Sequence, residues 1–517
     1  MGSLLRIHER DNVAVALSPI EAGECLSFGR QEGSCGSGQD QNVCPNAAQS
    51  VTAAEAIPQG HKTALTDIPA GAPVIKYGFP IGHATKDIPK GSWVHTHNMA
   101  TNLEGEVEYT YDPEKAPVWD PAQVCDGEVP TFQGYLRPDG RAAIRNEIWI
   151  IPTVGCVNGV IKSLTEQNQD LVTGSIDGLY AFPHPFGCSQ TGADHAQTRK
   201  LLAALVNHPN AGAVLVVGLG CENLTHDQFV KELGDYDPDR VKFMICQEEE
   251  DELAKGAALL KECAAYAGRF SRQSISADRL VIGMKCGGSD GLSGITANPA
   301  VGAFSDMLCA QGGTTILTEV PEMFGAEGML MCRCRDTEVF EKAVAMLNGF
   351  KQYFIRHGEV VYDNPSPGNK QGGITTLEDK SCGCVQKGGD APVVDVLGYG
   401  DQVHTKGLNL LYGPGNDLVS STALTAAGCH MVLFTTGRGT PFGAPAPTVK
   451  VATNQRLFHQ KGNWMDFNAG TIAEGESVAD AGKRLYELVL EVASGKKTCS
   501  EQKGYREISI FKDGIVL

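Results

Sequence analysis

Several short apolar runs in this chain end in glycines and small polar residues and are followed by segments with helical patterning. They lie at residues 148–152, 213–218, 243–246, 280–284 and 431–434. A run that is apolar throughout is typical of a strand buried on both faces, as in parallel sheets. The alternation of such strands with helices therefore predicts α/β domains with mainly parallel sheets and right-handed crossovers.

The length of 517 residues predicts about three domains. Residues 1–102 are predicted to form a small β-rich domain, because strand-like runs alternate there with Ile-Pro-x-Gly turns. Residues 103–130 are acidic, rich in proline and aperiodic, so we interpret them as a linker. Two α/β domains are expected at 131–270 and 275–517. Residues 28–50, rich in Gly, Ser and Gln, are interpreted as a mobile insertion.

Residues 280–302 concentrate several features of a ligand-binding loop. Cys286, Ser289 and Asp290 follow an apolar run, which places them at the carboxyl end of a strand, where open α/β sheets bind ligands. Asn298 is the predicted N-cap of the next helix, with a proline at the first helical position. Backbone N–H groups there favour an anion. An ordinary strand–turn–helix corner explains the same pattern, so both interpretations stay open.

Composition excludes some classes of partner. The net charge of −18 disfavours nucleic acids and anionic membrane surfaces. No run approaches the ~18 apolar residues of a membrane helix, and the first residues lack the apolar core of a secretion signal. We therefore expect a cytoplasmic protein. Its 17 cysteines are odd in number, and a disulfide framework is not expected in that compartment.

Some of these cysteines are candidate metal ligands. Four share one local setting, at a predicted strand end or in a glycine-rich loop: Cys156, Cys188, Cys221 and Cys286. If the strand ends share one edge, the thiols converge, and thiolates suit iron or an iron–sulfur cluster. Small residues that fit tight turns give the same pattern. Further candidate ligands are Glu222 and the pair His95 and His97, which would share one face of a strand.

Acids, bases and arginines in other loops are candidates for chemistry. Those for proton transfer are His184, Asp290 and Glu319. Arg141 and Arg145 could clamp a carboxylate bidentately, or could pair with surface acids. Arg438, flanked by glycines, could contact an anion, and Arg145 and Arg438 are the predicted carboxylate ligands. The remaining predicted substrate contacts are Asn146, Ser289 and Asn298.

Two common motif classes are absent or weak. No G-x-G-x-x-G follows a first strand and no G-x-x-x-x-G-K-[S/T] occurs, so a nucleotide cofactor is not indicated. The C-x-C pairs at 332–334 and 382–384 are interpreted as structural.

Long segments of the chain resemble the signature segments of the altronate and galactarate dehydratase family. They are GYLRPDGRAAIRN, GLGCEN, KCGGSDGLSGITANPAVG, NPSPGNK and FTTGRGTP. The segments VHTHN, IIPTVGCVNG, TEVPEMFGAE and GGITTLEDKS are more similar to the altronate-specific members. The resemblance covers nearly the whole chain, and residues 1–102 resemble the SAF-type domain of the family.

The resemblance implies a hydro-lyase that dehydrates D-altronate to 2-keto-3-deoxy-D-gluconate in hexuronate breakdown, with Fe²⁺ or Mn²⁺. Such a reaction needs a base for the proton on C2, a positive centre for the enolate and an acid for the leaving C3 hydroxyl. The implied partner is a small sugar acid, and a homo-oligomer stays open. Two alternatives remain: a dehydratase of galactarate or another sugar acid, and a non-catalytic protein that binds sugar acids.

Overall fold

The computed structural model describes residues 4–30, 49–125 and 127–517. Most of the predicted insertion at 28–50, with Cys35 and Cys44, lies outside these residues.

The first part of the chain forms two small sheets. One has the strand order β4-β3-β1-β2-β5-β8 and the other the order β6-β7-β9. Their strands are β1 (Leu4–Arg6), β2 (Val13–Ala16), β3 (Cys25–Arg30), β4 (Gln49–Thr52), β5 (Lys62–Ala64), β6 (Pro73–Lys76), β7 (Phe79–Ala84), β8 (Trp93–Val94) and β9 (Met99–Ala100).

The Ile-Pro-x-Gly turns connect these strands, as the sequence predicts. Ile68 and Ile88, which begin two of the turns, form an antiparallel bridge with each other. Gly91, which ends the second turn, has a φ of 86°. A Cβ there would lie 2.1 Å from the carbonyl oxygen of Thr52, so only glycine fits.

Residues 101–125 pack along the third domain rather than standing free. The Tyr109 hydroxyl donates to Glu327 Oε1 at 2.8 Å, and the Tyr111 hydroxyl donates to the Cys334 carbonyl at 2.6 Å. A short helix, α1 (Pro121–Val124), follows. A small antiparallel sheet comes next, with strands β10 (Thr131–Leu136), β11 (Ala142–Ala143) and β16 (Gln273–Ser276).

The second domain is built on a four-stranded sheet in the order β13-β12-β14-β15, with every pairing parallel. Its strands are β12 (Glu147–Pro152), β13 (Gly178–Ala181), β14 (Ala211–Gly218) and β15 (Val241–Ile245). Its helices are α2 (Asn158–Gln167), α3 (Gly192–Val206), α4 (His226–Leu233) and α5 (Glu252–Ala267). β12 and β14 are buried along their whole length, which explains their uninterrupted apolar sequences.

The third domain has a seven-stranded parallel sheet in the order β19-β20-β18-β17-β21-β22-β23. Its strands are β17 (Val281–Cys286), β18 (Thr314–Leu317), β19 (Val393–Leu397), β20 (Gly407–Leu411), β21 (Met431–Thr436), β22 (Thr448–Ala452) and β23 (Phe467–Asn468). Its helices are α6 (Ala297–Ala310), α7 (Glu327–Met331), α8 (Thr337–Arg356), α9 (Pro367–Gln371), α10 (Leu377–Cys384), α11 (Asp417–Ala426), α12 (Gln455–Gln460), α13 (Val478–Ala493) and α14 (Cys499–Gln502). A β-rich first part followed by two parallel α/β sheets confirms the predicted fold class.

The two parallel sheets point their carboxyl edges to the same side of the molecule. Helices α3 and α11 each begin at the carboxyl edge of their own sheet and pack against each other. Both end at one loop, where Gln402 donates to the Ala204 carbonyl and Val403 donates to the Ala427 carbonyl. In the described parts of the chain, no helix is long and apolar enough to cross a bilayer.

The predicted start of α6 is wrong. Asn298 lies inside the helix, and Thr296 occupies the N-cap position without a capping bond from its side chain. The Asn298 amide instead donates to the Gly383 carbonyl at 2.9 Å and accepts from Thr435 Oγ1 at 2.7 Å. These two bonds tie α6 to its neighbours, and Asn298 also lines a small cavity with Ser289 and Cys384. Its predicted contact with a substrate stays a prediction.

Candidate functional site

Two thiols and a carboxylate meet beneath the carboxyl edge of the third sheet. Cys286 is the last residue of β17, Glu322 lies in the turn after β18, and Cys384 ends α10. Both sulfur atoms donate to Glu322 Oε2, from 2.9 Å for Cys286 and 3.1 Å for Cys384, and they lie 3.4 Å apart. All three side chains are buried. Within the described residues this is the group of three His, Cys, Asp or Glu side chains whose ligand atoms are close enough to hold one metal ion.

Three buried lysines surround this thiol–carboxylate group. Lys387 Nζ lies 2.9 Å from Cys286 Sγ, and Lys380 Nζ lies 2.8 Å from Glu322 Oε1. Lys285 Nζ bridges Glu319 at 2.6 Å and Asp417 at 2.8 Å. Burial alone would raise the pKa of Glu322, but these three ammonium groups hold it well below its ordinary value. The Glu322 carboxylate is therefore ionised.

The charges in this group decide what it can hold. The three lysines balance the three acids when both thiols are protonated, and the bond to Cys286 together with burial raises the pKa of the Cys384 thiol. Two thiolates would leave two uncompensated negative charges, which one divalent cation neutralises. Two sulfurs and a carboxylate oxygen are ligands that zinc or ferrous iron accepts. The residues therefore fit a divalent metal ion, which binds cysteine as the thiolate.

Glu319 supports this group from a strained backbone. Its φ of 72° lies in the left-handed region that non-glycine residues rarely adopt. Its carboxylate accepts from Lys285 Nζ and from the Cys286 N–H at 2.8 Å. The predicted catalytic residue Glu319 is thus fully buried and positions Cys286.

The loops after β17 and β21 bring together three of the predicted site residues. Asp290 accepts from Leu292 N–H, Ser293 Oγ, Thr453 Oγ1 and Asn454 Nδ2. Burial raises the pKa of Asp290. With four bonds on its two oxygens, the carboxylate holds the loop in place and has no free lone pair aimed at a ligand.

Ser289 and Arg438 remain available beside Asp290. Ser289 Oγ is buried without a hydrogen-bond partner among the described residues. Ser289 lines a cavity of about 10 Å³ together with Lys380 and Cys384, enough for roughly one water. Arg438 is exposed and donates to Gln371 Oε1 at 3.1 Å and more weakly to the Gly368 carbonyl at 3.4 Å.

The first domain covers the same edge with a cluster of rings. His95 stacks on Trp93 with ring centroids 5.4 Å apart, His97 lies 5.3 Å from Trp93, and His61 lies 4.9 Å from His95. His95 and His97 lie in a turn, because β8 ends at Val94, so the predicted strand placement is wrong.

His95 also reaches the third domain. Its Nδ1 lies 3.4 Å from Thr375 Oγ1. Burial, with the nearby Lys62 and His61, lowers the pKa of His95 to about 4. The imidazole is therefore neutral at physiological pH.

Three predicted site residues are buried in structural networks of the second domain. Both ring nitrogens of His184 are used, by the Pro152 carbonyl and the Phe186 N–H. All five N–H groups of Arg145 have acceptors, including both oxygens of Glu501. The Asn146 amide binds Arg137 and two carbonyls. The bonds of His184 and Asn146 brace the second domain, whereas Arg145 ties it to the end of α13 and to α14 of the third domain.

The predicted convergence of four cysteines does not occur. Cys286 belongs to the third sheet, whereas Cys156, Cys188 and Cys221 lie in loops at the carboxyl edge of the second sheet. Glu222 braces those loops by accepting from Thr153 Oγ1, Leu219 N–H and Gly220 N–H. Burial alone would raise the pKa of Glu222, but these hydrogen bonds lower it.

Sequence analysis missed Cys384, Lys380 and Lys387 and interpreted the 382–384 pair as structural. The three residues are spaced by four and then three positions, which places them on one face of a helix. That spacing is the signal that could have identified them, since α10 and the following turn point all three at Cys286 and Glu322.

Comparison with known proteins agrees with this arrangement. Residues 2–102 match the family model for the altronate/galactarate dehydratase SAF domain. Residues 134–268 match that for the second domain of D-galactarate dehydratase/altronate hydrolase, and residues 277–516 match the C-terminal domain of D-galactarate/altronate dehydratase.

Curated relatives match along the full length. The chain is 50% identical to an altronate dehydratase from Escherichia coli (strain K12), covering 99% of each chain. It is 49% identical to an altronate dehydratase from Bacillus subtilis (strain 168), covering 100% of each. A galactarate dehydratase (L-threo-forming) from Escherichia coli (strain K12) is 33% identical over 98% of this chain and 96% of its own. The three family models and these relatives show that the chain belongs to the D-galactarate/altronate dehydratase family.

Proposed function

We propose that this protein is a hydro-lyase that dehydrates D-altronate to 2-keto-3-deoxy-D-gluconate. The observation that carries the proposal is its end-to-end similarity, near half identity, to two proteins named altronate dehydratase. The galactarate dehydratase is similar over the same span at only 33% identity. This difference favours altronate over galactarate as the substrate.

The reaction takes place, in this proposal, where the first domain covers the carboxyl edge of the third sheet. Arg438 holds the substrate carboxylate, because its guanidinium is exposed and only lightly engaged, and guanidinium groups bind carboxylates through paired hydrogen bonds. Ser289 Oγ, without a partner among the described residues, contacts a substrate hydroxyl or an ordered water. Asp290 positions this loop through its four hydrogen bonds.

His95 takes the proton from C2 in this proposal. A base must be unprotonated at working pH, and burial, which lowers the pKa of His95 to about 4, keeps its ring neutral there. The same shift makes His95 a weaker base than an ordinary histidine, so its position rather than its basicity supports this role. Stacking on Trp93 and the contact with Thr375 fix the direction of its ring. These contacts make His95 a stronger candidate than His184, whose two nitrogens are bound to backbone.

The proposed metal ligands are Cys286, Glu322 and Cys384. When bound there, a divalent ion supplies positive charge next to the site in which the enolate forms. The two sulfur ligands favour ferrous iron over manganese, because manganese prefers oxygen ligands. Lys380 lines the cavity beside Ser289 and Cys384. Burial alone would lower the pKa of Lys380, but the Glu322 carboxylate raises it and keeps the ammonium group charged.

The test is anaerobic purification, determination of bound iron and manganese, and assay of keto-acid formation from D-altronate and galactarate. We expect turnover of D-altronate that requires ferrous iron. Arg438→Met should raise KM about 10- to 100-fold, the worth of a charged hydrogen-bond pair. Arg141→Met is the matched control, since Arg141 is exposed and paired with Asp139 in the turn between β10 and β11, and it should leave KM unchanged.

Other outcomes would decide between the alternatives. Faster turnover of galactarate would reassign the substrate within the family. Saturable binding of sugar acids without keto-acid product in iron-loaded protein would refute the enzyme and leave a binding protein.

A further inference from the structure

The second domain exposes three thiols at one edge of its sheet. Of the cysteines in the described residues, four are exposed: Cys25, Cys156, Cys188 and Cys221. Free cysteine is among the most buried residue types, so this concentration is unusual. Cys156 follows β12, Cys188 follows β13 and Cys221 follows β14, which are three neighbouring parallel strands. All three thiols therefore leave the sheet at its carboxyl edge.

Backbone hydrogen bonds join the three loops that carry these thiols. Gly155 N–H donates to the Phe186 carbonyl at 2.8 Å, which links the Cys156 loop to the Cys188 loop. Leu224 N–H donates to the Gly187 carbonyl at 3.1 Å, and Ser189 N–H donates to Asn223 Oδ1 at 2.7 Å. These two bonds link the Cys188 loop to the Cys221 loop. Each thiol lies one or two residues from such a bond, so the three loops form one rigid unit.

The close approach of these loops requires glycine at position 187. Gly187 has a φ of 99°, and a Cβ there would lie 1.9 Å from the Thr153 carbonyl oxygen. Ser189, next to Cys188, has a φ of 56°, a conformation that costs a non-glycine residue free energy. Strain of this kind persists where the surroundings fix a particular geometry.

Three buried polar atoms near these loops have no hydrogen-bond partner among the described residues. These atoms are Asn158 Oδ1, Gln190 Nε2 and His195 Nε2. Asn158 and Gln190 each lie two residues after a thiol, and His195 bonds to the backbone of Asn223, which lies two residues after Cys221. Gln190 is 3% exposed, and its Oε1 accepts from Gly187 N–H. Buried polar groups nearly always have a hydrogen-bond partner. Three buried polar atoms without one, all near the same thiols, therefore indicate a ligand at this place.

The spacing of the thiols distinguishes a single metal ion from an iron–sulfur cluster as the ligand. Among the described residues they do not form a group compact enough for one metal ion. The thiolates of an iron–sulfur cluster bind different iron atoms and stand farther apart. Loops that leave three adjacent strands about 4.8 Å apart suit the wider arrangement.

We propose that Cys156, Cys188 and Cys221 bind a four-iron, four-sulfide cluster at the carboxyl edge of the second sheet. Three protein thiolates leave one iron without a cysteine ligand, open to an oxygen ligand. Gln190 Nε2 and His195 Nε2 are then the hydrogen-bond donors to the cluster sulfides. The site is separate from the Cys286, Glu322 and Cys384 group, and cluster binding does not depend on the proposed function. A role of the open iron in holding a sugar-acid oxygen does rest on that function.

The test is anaerobic reconstitution of the full chain with ferrous iron and sulfide, followed by desalting. We expect about four iron and four sulfide per chain. We also expect a broad sulfur-to-iron charge-transfer band at the short-wavelength end of the visible spectrum. Cys156→Ser, Cys188→Ser and Cys221→Ser should each lower bound sulfide by more than half, with unchanged circular dichroism. Cys25→Ser is the matched exposed control and should keep the full sulfide content.

Two further variants keep the result interpretable. Cys286→Ser combined with Cys384→Ser should retain sulfide and the absorption band, because that group is a different site. Reconstituted protein without bound sulfide, or retention of sulfide in the triple variant of Cys156, Cys188 and Cys221, would overturn the proposal. Because the readout is sulfide and absorption, it is independent of whether D-altronate turns over.

Discussion

Replacing Asp379 with asparagine should loosen the first domain from the third. Asp379 is buried and accepts from Lys62 Nζ at 2.7 Å, from Lys76 Nζ at 3.0 Å and from Thr375 N–H at 3.1 Å. Both lysines come from the first domain, and both are buried. Burial alone would raise the pKa of Asp379, but the two ammonium groups hold it well below its ordinary value. The variant would leave two buried cations without their carboxylate.

The expected size of this effect follows from the burial. Removing one partner of a buried ion pair costs about 3–5 kcal/mol. At 1.36 kcal/mol per tenfold, local opening of the first domain should become about 160- to 4,700-fold more frequent. Native-state hydrogen exchange of peptides spanning residues 60–80 measures that opening directly, whereas exchange in β12 and β14 of the second domain should not change.

Two comparisons test the cause. Asp112→Asn removes an exposed pair with Lys115 and should leave exchange unchanged, because exposed pairs contribute little. The triple variant Lys62→Met, Lys76→Met, Asp379→Leu replaces the whole buried network with apolar groups and should recover most of the protection. Wild-type exchange in Asp379→Asn, or a triple variant as open as the single one, would refute the reasoning.

Three further predictions concern the second domain and its contact with the third. Gly187→Ala should lower the free energy of unfolding, measured with denaturant, far more than Gly192→Ala. Both glycines have a positive φ, but a Cβ at Gly192 meets nothing within 4 Å. Equal losses of unfolding free energy would contradict the close approach of the thiol loops. Arg145→Lys should lower the free energy of unfolding by about 2–3 kcal/mol, because a lysine leaves several acceptors of Arg145 unpaired, while KM stays unchanged. A raised KM would restore Arg145 as a substrate ligand. Burial alone would raise the pKa of Glu501, but Arg145 and Arg506 lower it to about 2. The stabilisation of the fold by ionised Glu501 is therefore complete above about pH 4.3. It is lost as the pH falls toward 2, by at most ~3 kcal/mol. Glu501→Gln should flatten acid unfolding in that window, and an unchanged slope would show that Glu501 is not responsible.

The elements that the sequence predicted well are those whose pattern is the same whichever elements pack against them. A run such as 148–152 is apolar because both faces of β12 are buried, so its pattern reports its environment directly. The same holds for β14 and for β17, where the strand continues to Cys286. The Ile-Pro-x-Gly turns likewise depend on local backbone geometry.

The parts that failed depend on which distant elements meet. Cys286 and Cys384 are 98 residues apart in the chain, and nothing local shows that α10 ends against β17. The sequence also does not show which strands share a sheet, so Cys286 was grouped with three thiols of another domain. Arg145 and His184 have the residue types of an active site, but their partners are backbone carbonyls and Glu501, which no motif records.

The pairing of β10 with β16 has a consequence for how this chain is built. Thr131 pairs with Ser276 and Gly134 pairs with Gln273, so the chain enters and leaves the second domain through one two-stranded ribbon. Because the two ends of the second domain lie side by side, the domain can be deleted and the two flanking strands joined by a short linker. The entropic cost of closing a loop grows only slowly with its length. The pairing of β10 with β16 can therefore offset the cost of closing the whole segment between them. The second domain is thus arranged as an insertion in a body that the first and third domains form together.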